Sequence, residues 1–286
     1  MGRNLLMFAG CIPMAVLLGF VLADRWKRKR AGERPPQQDK LLRPAGHSLN
    51  LKLADLGDSF SAWMMGAFLA SLASVGFISM ADPENRIGPA VSLIVFGGLA
   101  ALCTVMAWRT VKRIRAARLG LLGEQSVAEQ LQSLWADGCR VFHDVPGDGK
   151  WNVDHVVVGP TGVFAIETKA RTKRLGCRGE RDHEAVFDGN AIRFPSYTDT
   201  KTIEQVERNA RWLAGMLSKA TGEKVIVRPL VVLPGWFVTL KANSEVKLLS
   251  GKQVVSFIVK EPKKLSDKSI QQIAYQLEQR CRDVEF

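Results

Sequence analysis

The sequence contains few of the residues that build disulfide frameworks and transition-metal sites. It has five cysteines and four histidines in 286 residues, and no CxxC or HxxxH spacing occurs. Cys11 and Cys103 lie in apolar runs and the other three cysteines are scattered, so we expect neither a disulfide framework nor a zinc site. The chain also lacks helicase, kinase and ATP-binding motifs and internal repeats, so any energy-coupled partner would be a separate protein.

Acidic side chains are outnumbered, but the imbalance is local. The chain has 40 Lys and Arg against 28 Asp and Glu, a net charge of +12. Residues 24–34 and 109–118 together hold eleven basic and two acidic side chains, a net +9, which leaves +3 for the rest. Because both blocks flank apolar runs, the positive charge is better explained by membrane topology than by binding of an acidic ligand such as nucleic acid.

Three uncharged runs are long enough to cross a hydrocarbon core of ~30 Å: Leu5–Ala23, Phe60–Ala81 and Ile87–Trp108. The first could instead be a cleaved signal peptide, but the basic "DRWKRKR" that follows it resists translocation. The positive-inside rule then predicts a multi-pass protein of the cell (inner) membrane. Its N-terminus and the "DPENR" loop would lie outside, and everything after Trp108 would be cytoplasmic.

We expect an α/β fold in which a mixed central sheet is flanked by helices and preceded by three transmembrane helices. The predicted organisation is a span at 1–24, a cytoplasmic basic and Pro-rich linker at 25–59, spans at 60–81 and 87–108, a basic juxtamembrane helix at 109–118 and a soluble domain at 119–286. Within that domain the pattern predicts helices at 123–136 and 201–220, a hairpin turn at 188–190, a buried strand in "KVIVRPLVVLPG" and a closing helix with Ser266 as N-cap.

The stretch "NVDHVVVGPTGVFAIETK", residues 152–169, predicts a β-hairpin. Val153–Val158 and Val163–Thr168 are rich in strand-forming residues, and Gly159–Gly162 is expected to form a four-residue loop. If Val158 faces Val163, Asp154 faces Glu167, with Cβ atoms roughly 4.5–5.5 Å apart. The two-residue period places Lys169 on the same face as Glu167.

Two carboxylates that face each other on half-buried strands repel, so each needs a counter-charge. Lys169 could supply the counter-charge of one carboxylate, and the residues would then have a purely structural role. A divalent cation, Mg²⁺ or Mn²⁺, is the other solution, because such ions bind one or two carboxylates together with water and substrate phosphate. A lysine beside the ion can orient a water or balance charge on a phosphate. This constellation suits metal-assisted phosphodiester hydrolysis.

The same residues resemble a known family. The opening "GLLGE", the hairpin stretch and "QVERNARWL" are similar to the NERD (nuclease-related) domain of the PD-(D/E)XK nuclease-like superfamily, over roughly residues 118–235. The resemblance implies a restriction-endonuclease-like fold and a metal-dependent nuclease. It implies metal-binding roles for Asp154 and Glu167, the role of the E-x-K lysine for Lys169, a further metal ligand in Glu124 and a supporting glutamine in Gln205. The family's proline-aspartate dipeptide is Val153-Asp154 here.

A basic stretch follows the hairpin. It predicts a phosphate-backbone contact through Lys169, Arg171, Lys173, Arg174 and Arg178, with DNA favoured over RNA as the partner. The alternative is an exposed loop whose charge aids solubility. His155 is expected to lie on the face opposite Asp154, as a core or supporting residue rather than a ligand.

The leading hypothesis is a membrane-anchored nuclease that acts at the cytoplasmic face. Two alternatives remain open on the sequence: a module that binds nucleic acid without cleaving it, and a membrane protein that uses its cytoplasmic domain for protein contacts.

Overall fold

The computed structural model describes residues 40–81, 87–149, 151–173 and 183–284, together with four residues between Phe20 and Lys27. Leu42–Asp283 forms one compact unit, and the remaining residues, Met1–Leu41 with Val284–Phe286, form another. The first predicted span, 1–24, therefore lies almost wholly outside the described residues. The fold below is that of the Leu42–Asp283 unit.

The elements alternate between helices and strands along the domain. The helices are α1 (His47–Met80), α2 (Ile87–Leu131, continued by a 3₁₀ turn at Gln132–Trp135), α3 (Lys201–Thr221), α4 (Gly251–Lys260) and α5 (Asp267–Cys281). The strands are β1 (Leu41–Leu42), β2 (Arg140–Pro146), β3 (Asn152–Gly159), β4 (Gly162–Thr168), β5 (Glu184–Phe187), β6 (Ile192–Phe194), β7 (Tyr197–Asp199), β8 (Val227–Leu233), β9 (Phe237–Leu240), β10 (Lys247–Ser250) and β11 (Arg282–Val284).

A five-stranded mixed sheet forms the centre, in the order β10-β8-β4-β3-β2. β10, β8 and β4 run parallel, whereas β4, β3 and β2 are joined by antiparallel pairings. β3, β4 and most of β8 are buried, as expected for strands covered on both faces. A second, four-stranded sheet has the order β7-β6-β5-β9. The mixed α/β architecture that the sequence predicts is confirmed.

Helices cover both faces of the central sheet. On one face α3 and α5 pack through Leu213, Leu217 and Leu277 against the valines of β3 and β4. On the other face α2 and α4 pack through Val127, Leu131 and Ile258. Burying these side chains removes the apolar faces of the helices from water and fixes where their polar residues lie at the sheet edge.

The predicted hairpin is present, and its register is the expected one. Val158 pairs with Val163, and the ladder continues to His155 opposite Ile166. The turn differs from the expectation, because Gly159 and Gly162 pair with each other and leave Pro160 and Thr161 as a two-residue turn. Gly162 has a φ of +137°, a conformation that a side chain would disfavour. Extending both strands by one residue leaves the register unchanged.

Two helical boundaries differ from the predicted ones. The soluble domain does not begin with a separate helix at 123–136, because α2 runs without a break from Ile87 to Leu131. The segment predicted as linker, 25–59, is helical from His47 onward, because α1 begins there. α4 is a helix that the sequence pattern did not predict.

Two described helices are long and apolar enough to cross a membrane by length and composition: α1, and α2 with its 3₁₀ extension. Only 11% and 17% of their apolar windows are buried within the protein. Large side chains such as Phe68, Val75 and Ile94 are more than half exposed. The first predicted span, 1–24, is neither confirmed nor contradicted, since it lies almost wholly outside the described residues.

Candidate functional site

The paired strands bring Asp154 and Glu167 to the same end of the central sheet. Asp154 on β3 is 7% exposed and Glu167 on β4 is 2% exposed. The backbone N–H of Thr168 donates to Asp154 Oδ2 at 2.7 Å, which ties the Asp154 carboxylate to the β4 strand next to Glu167. The register that the sequence predicts has therefore placed two acids side by side in a buried position.

Glu167 is held by three side chains. Lys169 Nζ and Gln205 Nε2 each donate to its Oε1 at 2.8 Å, and Asn209 Nδ2 donates to its Oε2 at 3.3 Å. Lys169 also donates to Gln205 Oε1 at 3.2 Å. Three of the residues singled out from the sequence, Glu167, Lys169 and Gln205, thus form one hydrogen-bonded cluster.

Asn209 is the member of this cluster that sequence reasoning missed. It lies four residues after Gln205 on α3, and residues four apart share a helix face. The spacing of Gln205 and Asn209 in "QVERNARWL" was therefore the signal that could have found it.

Glu124 reaches the site from α2. It is 7% exposed, and its Oε2 is buried without a hydrogen-bond partner among the described residues. The helix approaches the chain beyond Lys169 closely, because a Cβ on Gly123 would lie 2.5 Å from the Cβ of Ala170. A side chain larger than hydrogen at position 123 would push Glu124 away from the strand end.

Burial raises the pKa of all three acids, and repulsion by neighbouring carboxylates adds to the rise for Asp154 and Glu124. Desolvation raises the pKa of Asp154 well above its ordinary value, and the charges of Glu167 and Glu124 add to the rise. Desolvation likewise raises the pKa of Glu167, while Lys169 lowers it. The pKa of Glu124 is raised to about 7 by desolvation and by the charges of Asp144 and Glu167. Acids with raised pKa values in a polar cluster are typical of functional sites.

The donor set suits a hard divalent cation. Asp154, Glu167 and Glu124 offer carboxylate oxygens, the ligands that Mg²⁺ and Mn²⁺ prefer. In the described part of the chain, no three His, Cys, Asp or Glu side chains converge closely enough to ligate one ion together. Mg²⁺ commonly takes only one or two carboxylates and keeps several waters, so a pair of direct ligands with the third acting through water fits the arrangement.

The basic residues predicted to bind a phosphate backbone do not share one environment. Lys169 lies within the acidic cluster, and Arg171 pairs with Asp199 at 3.3 Å. Lys173 is exposed and lies 5.9 Å from the ring of Trp236. Arg174 and Arg178 lie outside the described residues.

His155 occupies the core, in agreement with its predicted role. It is fully buried, and its Nδ1 lies 2.8 Å from Nδ1 of His143 on the neighbouring strand. Burial lowers the pKa of both rings, that of His143 to about 4, so both are neutral at physiological pH. A neutral pair can share the single Nδ1 proton that this contact requires.

Residues 119–234 match the model of the NERD family, the nuclease-related domain. The matched range is about two fifths of the 286-residue chain. The matched range agrees with the stretch of resemblance in the sequence and contains Glu124, Asp154, Glu167, Lys169, Gln205 and Asn209. No curated protein matches the chain.

One solved structure that is similar to this chain is SfsA of Pyrococcus furiosus in complex with Ca²⁺. The identity is 14% and the TM-score is 0.20, over 54% of this chain and 51% of that one. The chain thus spans about half the length of SfsA. At that TM-score the likeness carries no argument about the site.

Proposed function

We propose that this nuclease-related domain is a metal-dependent nuclease that hydrolyses phosphodiester bonds of DNA or RNA. One observation carries the proposal: three carboxylates are buried together, and in the described residues only one of them, Glu167, forms an ion pair. A fold that needed only stability would replace such acids by apolar side chains, because burying unpaired charge is costly. The excess negative charge is explained if the site binds a cation.

Asp154 and Glu167 would hold Mg²⁺ or Mn²⁺, and Glu124 would bind it directly or through a water. The ion, when bound, would polarise the scissile phosphate and lower the pKa of a bound water. Lys169 Nζ is fixed between Glu167 and Gln205 Oε1, so its positive charge can face the negative charge that develops on the phosphate. Gln205 and Asn209 would keep the Glu167 carboxylate oriented.

The basic residues next to the site would bind the nucleic-acid backbone without reading bases. Lys173 is the described member that is exposed, whereas Arg171 shares its charge with Asp199. Lys169 would contact the scissile phosphate, and Arg174 and Arg178 belong to the same proposal through the sequence alone. DNA remains the favoured partner.

The cleavage test uses the full chain, purified in detergent. We expect cleavage of a labelled DNA or RNA with Mg²⁺ and none with excess chelator. Glu167→Gln should lower the rate by at least about 10²-fold, because it removes a ligand charge and the partner of Lys169. Glu278→Gln is the matched control, because it removes an ion-paired acid of α5, the partner of Arg282, outside the cluster. Equal cleavage by both variants would identify a contaminant.

A specific observation favours a second candidate, a nucleic-acid-binding module without cleavage. Lys169 already neutralises Glu167, and a proton on Asp154 would remove the remaining repulsion without any metal. The same assay separates the two, because salt-dependent binding of DNA with no metal-dependent cleavage supports this second function.

We expect metal affinity to rise with pH. Because the pKa of Glu124 is raised to about 7, most copies are protonated at pH 6 and ionised at pH 8. Metal binding must displace that proton, so Mn²⁺ should bind about 10-fold more weakly at pH 6 than at pH 8. Calorimetry on the full chain measures this, and Glu124→Gln should flatten the dependence. A Glu124→Gln profile as steep as that of the parent would contradict the role of Glu124.

We further propose that the apolar parts of α1 and α2, within residues 60–81 and 87–108, span a membrane with the domain on the cytoplasmic side. The exposed apolar surface of these segments and the basic block at 109–118 support this topology. In a cysteine-labelling experiment on intact cells, we expect an impermeant thiol reagent to label Glu84→Cys. Glu245→Cys, in the domain, should be labelled only after permeabilisation. The reverse pattern would invert the topology.

A further inference from the structure

Asp144 is the most strongly constrained acid near the site, although the sequence did not single it out. It is fully buried on β2, and its φ of +50° is the only positive value of a non-glycine residue in the described chain. The backbone of a residue with a side chain is strained at such a φ value, and the strain persists only where surrounding contacts hold the residue in place. The surroundings are provided by a segment about a hundred residues earlier in the sequence.

That segment, Arg43–Ser48, surrounds the Asp144 carboxylate with donors. Arg43 Nη1 donates to Oδ2 at 3.0 Å, Ser48 Oγ donates to Oδ2 at 2.7 Å, and the Ser48 backbone N–H donates to Oδ1 at 3.2 Å. Asn152 Nδ2 completes the set at 2.6 Å from Oδ1. We call Arg43–Ser48 the strap. It precedes the family-matched region, 119–234, by about seventy residues.

The strap is also fastened at its other side. Arg43 Nε donates to Asp283 Oδ1 at 2.7 Å, and the Arg43 backbone N–H donates to the Cys281 carbonyl at 3.0 Å. Arg43 therefore joins the buried Asp144 to the end of α5. Bonds to charged groups in such partly buried positions are each stronger than neutral ones, so the strap is a fixed part of the domain.

Between these anchors the strap lies directly over Glu124. Gly46 has a φ of +73°, and a Cβ added there would lie 2.2 Å from Leu121 Cδ1 and 3.8 Å from Glu124 Oε2. Just beyond it, Leu49 of α1 packs against Gly120, whose added Cβ would lie 3.2 Å from Leu49 Cδ1. The backbone at Gly46 therefore lies beside the carboxylate of Glu124, whose buried Oε2 has no hydrogen-bond partner among the described residues.

The geometry points to the strap as a positioning element of the metal site: held by Asp144, it fixes the Glu124 carboxylate towards Asp154 and Glu167. This inference rests on the proposed function of that site. No strap side chain would touch the ion. Groups that orient a metal ligand from outside typically change metal affinity by 10–100-fold when they are removed.

The test is a double-mutant cycle on the full chain in detergent, with Mn²⁺ affinity measured by calorimetry. Ser48→Ala and Arg43→Ala should each weaken Mn²⁺ binding by about 10-fold. In a Glu124→Gln background the same changes should have no further effect, because the residue through which the strap acts is already altered. Ser48→Thr, which keeps the hydroxyl donor, should bind Mn²⁺ as the parent does.

Arg193→Ala is the matched control, because it removes an Arg–Asp pair (with Asp188) on the second sheet. It should leave Mn²⁺ affinity unchanged. An equal loss for the strap variants in both backgrounds would show a merely structural role and overturn the inference. So would unchanged affinity in the strap variants when the parent binds Mn²⁺. Absence of binding in the parent would overturn the proposed function, and the inference with it.

Discussion

Asp154→Asn is expected to abolish cleavage and, in the absence of metal, to make the protein more stable. Removing a charged metal ligand forfeits several kcal/mol of transition-state stabilisation, which corresponds to a rate loss of about 10³-fold or more. The asparagine has nearly the same shape as the protonated acid and still offers an oxygen to the Thr168 N–H. The two effects are expected to have opposite signs if, as proposed, the acid serves the ion rather than the fold.

The stability gain should depend on pH. The pKa of Asp154 is raised well above its ordinary 3.8, because burial and the neighbouring acids disfavour the charged form. A group of this kind contributes stability that is fully present below its unfolded pKa and is lost as pH rises through its folded pKa. The parent without metal therefore becomes less stable as pH rises from about 4, and Asp154→Asn lacks this part of the loss.

Thermal unfolding in chelator measures the difference between the two proteins. We expect the Tm of Asp154→Asn to exceed that of the parent by about 2–4 °C at pH 9, with a smaller difference at pH 5. Saturating Mn²⁺ should reverse the order, since a ligand at 100 times its Kd stabilises only the protein that binds it, by about 2.7 kcal/mol. Asp137→Asn, which alters an exposed aspartate, is the control. A variant that is less stable than the parent at every pH would show that Asp154 serves the fold.

The parts of the site that the sequence predicted are those set by local rules. Period-two alternation and a Gly-Pro-Thr-Gly turn determine which residues of β3 and β4 are neighbours, so Asp154, Glu167 and Lys169 could be placed without knowing the rest of the fold. The turn was assigned two residues too many, but the pairing of Val158 with Val163 holds for either length. A register depends on one pair, whereas a loop boundary depends on hydrogen bonds that the sequence does not show.

Helix boundaries were harder to predict, because propensity and context compete. α4 contains Val254, Val255 and Ile258, whose β-branched side chains favour strands by propensity. The helix forms because Ser250 and Gln253 make a capping box and because one face is buried against the sheet. The break expected before Gly123 is absent because isolated glycines are tolerated inside a helix that is packed on a domain.

The strap lies beyond any local rule. Arg43 and Asp144 are 101 residues apart, and only the folded chain brings them together. In the sequence, Arg43 is one of several charged residues in a Pro-rich segment, and Asp144 is a single acid in a largely apolar strand. Nothing in either stretch indicates that the two residues form a pair. Their contact also means that the boundary of the family match, at residue 119, is not the boundary of the folded unit, which runs from Leu42 to Asp283.

A fragment of residues 119–286 is therefore expected to be strongly destabilised, even though it contains the whole family-matched region. Without Arg43 and Ser48, Asp144 keeps Asn152 as a donor but loses its counter-charge. Breaking a buried ion pair by removing one partner costs about 3–5 kcal/mol, a large share of the stability of most domains. We expect the fragment to unfold at a much lower urea concentration than a chain that begins at residue 40.

The substitution Asp144→Asn distinguishes this cause from a general loss of contacts. In the chain that begins at residue 40 it should cost about 1–3 kcal/mol, because it weakens the bonds from Arg43 and Ser48. In the 119–286 fragment it should raise the urea midpoint instead, since it removes the unpaired buried charge. The sign therefore inverts between the two chains only if the strap supplies the counter-charge of Asp144. The same sign in both would mean that the fragment loses stability through α1 packing on α2, and not through Asp144.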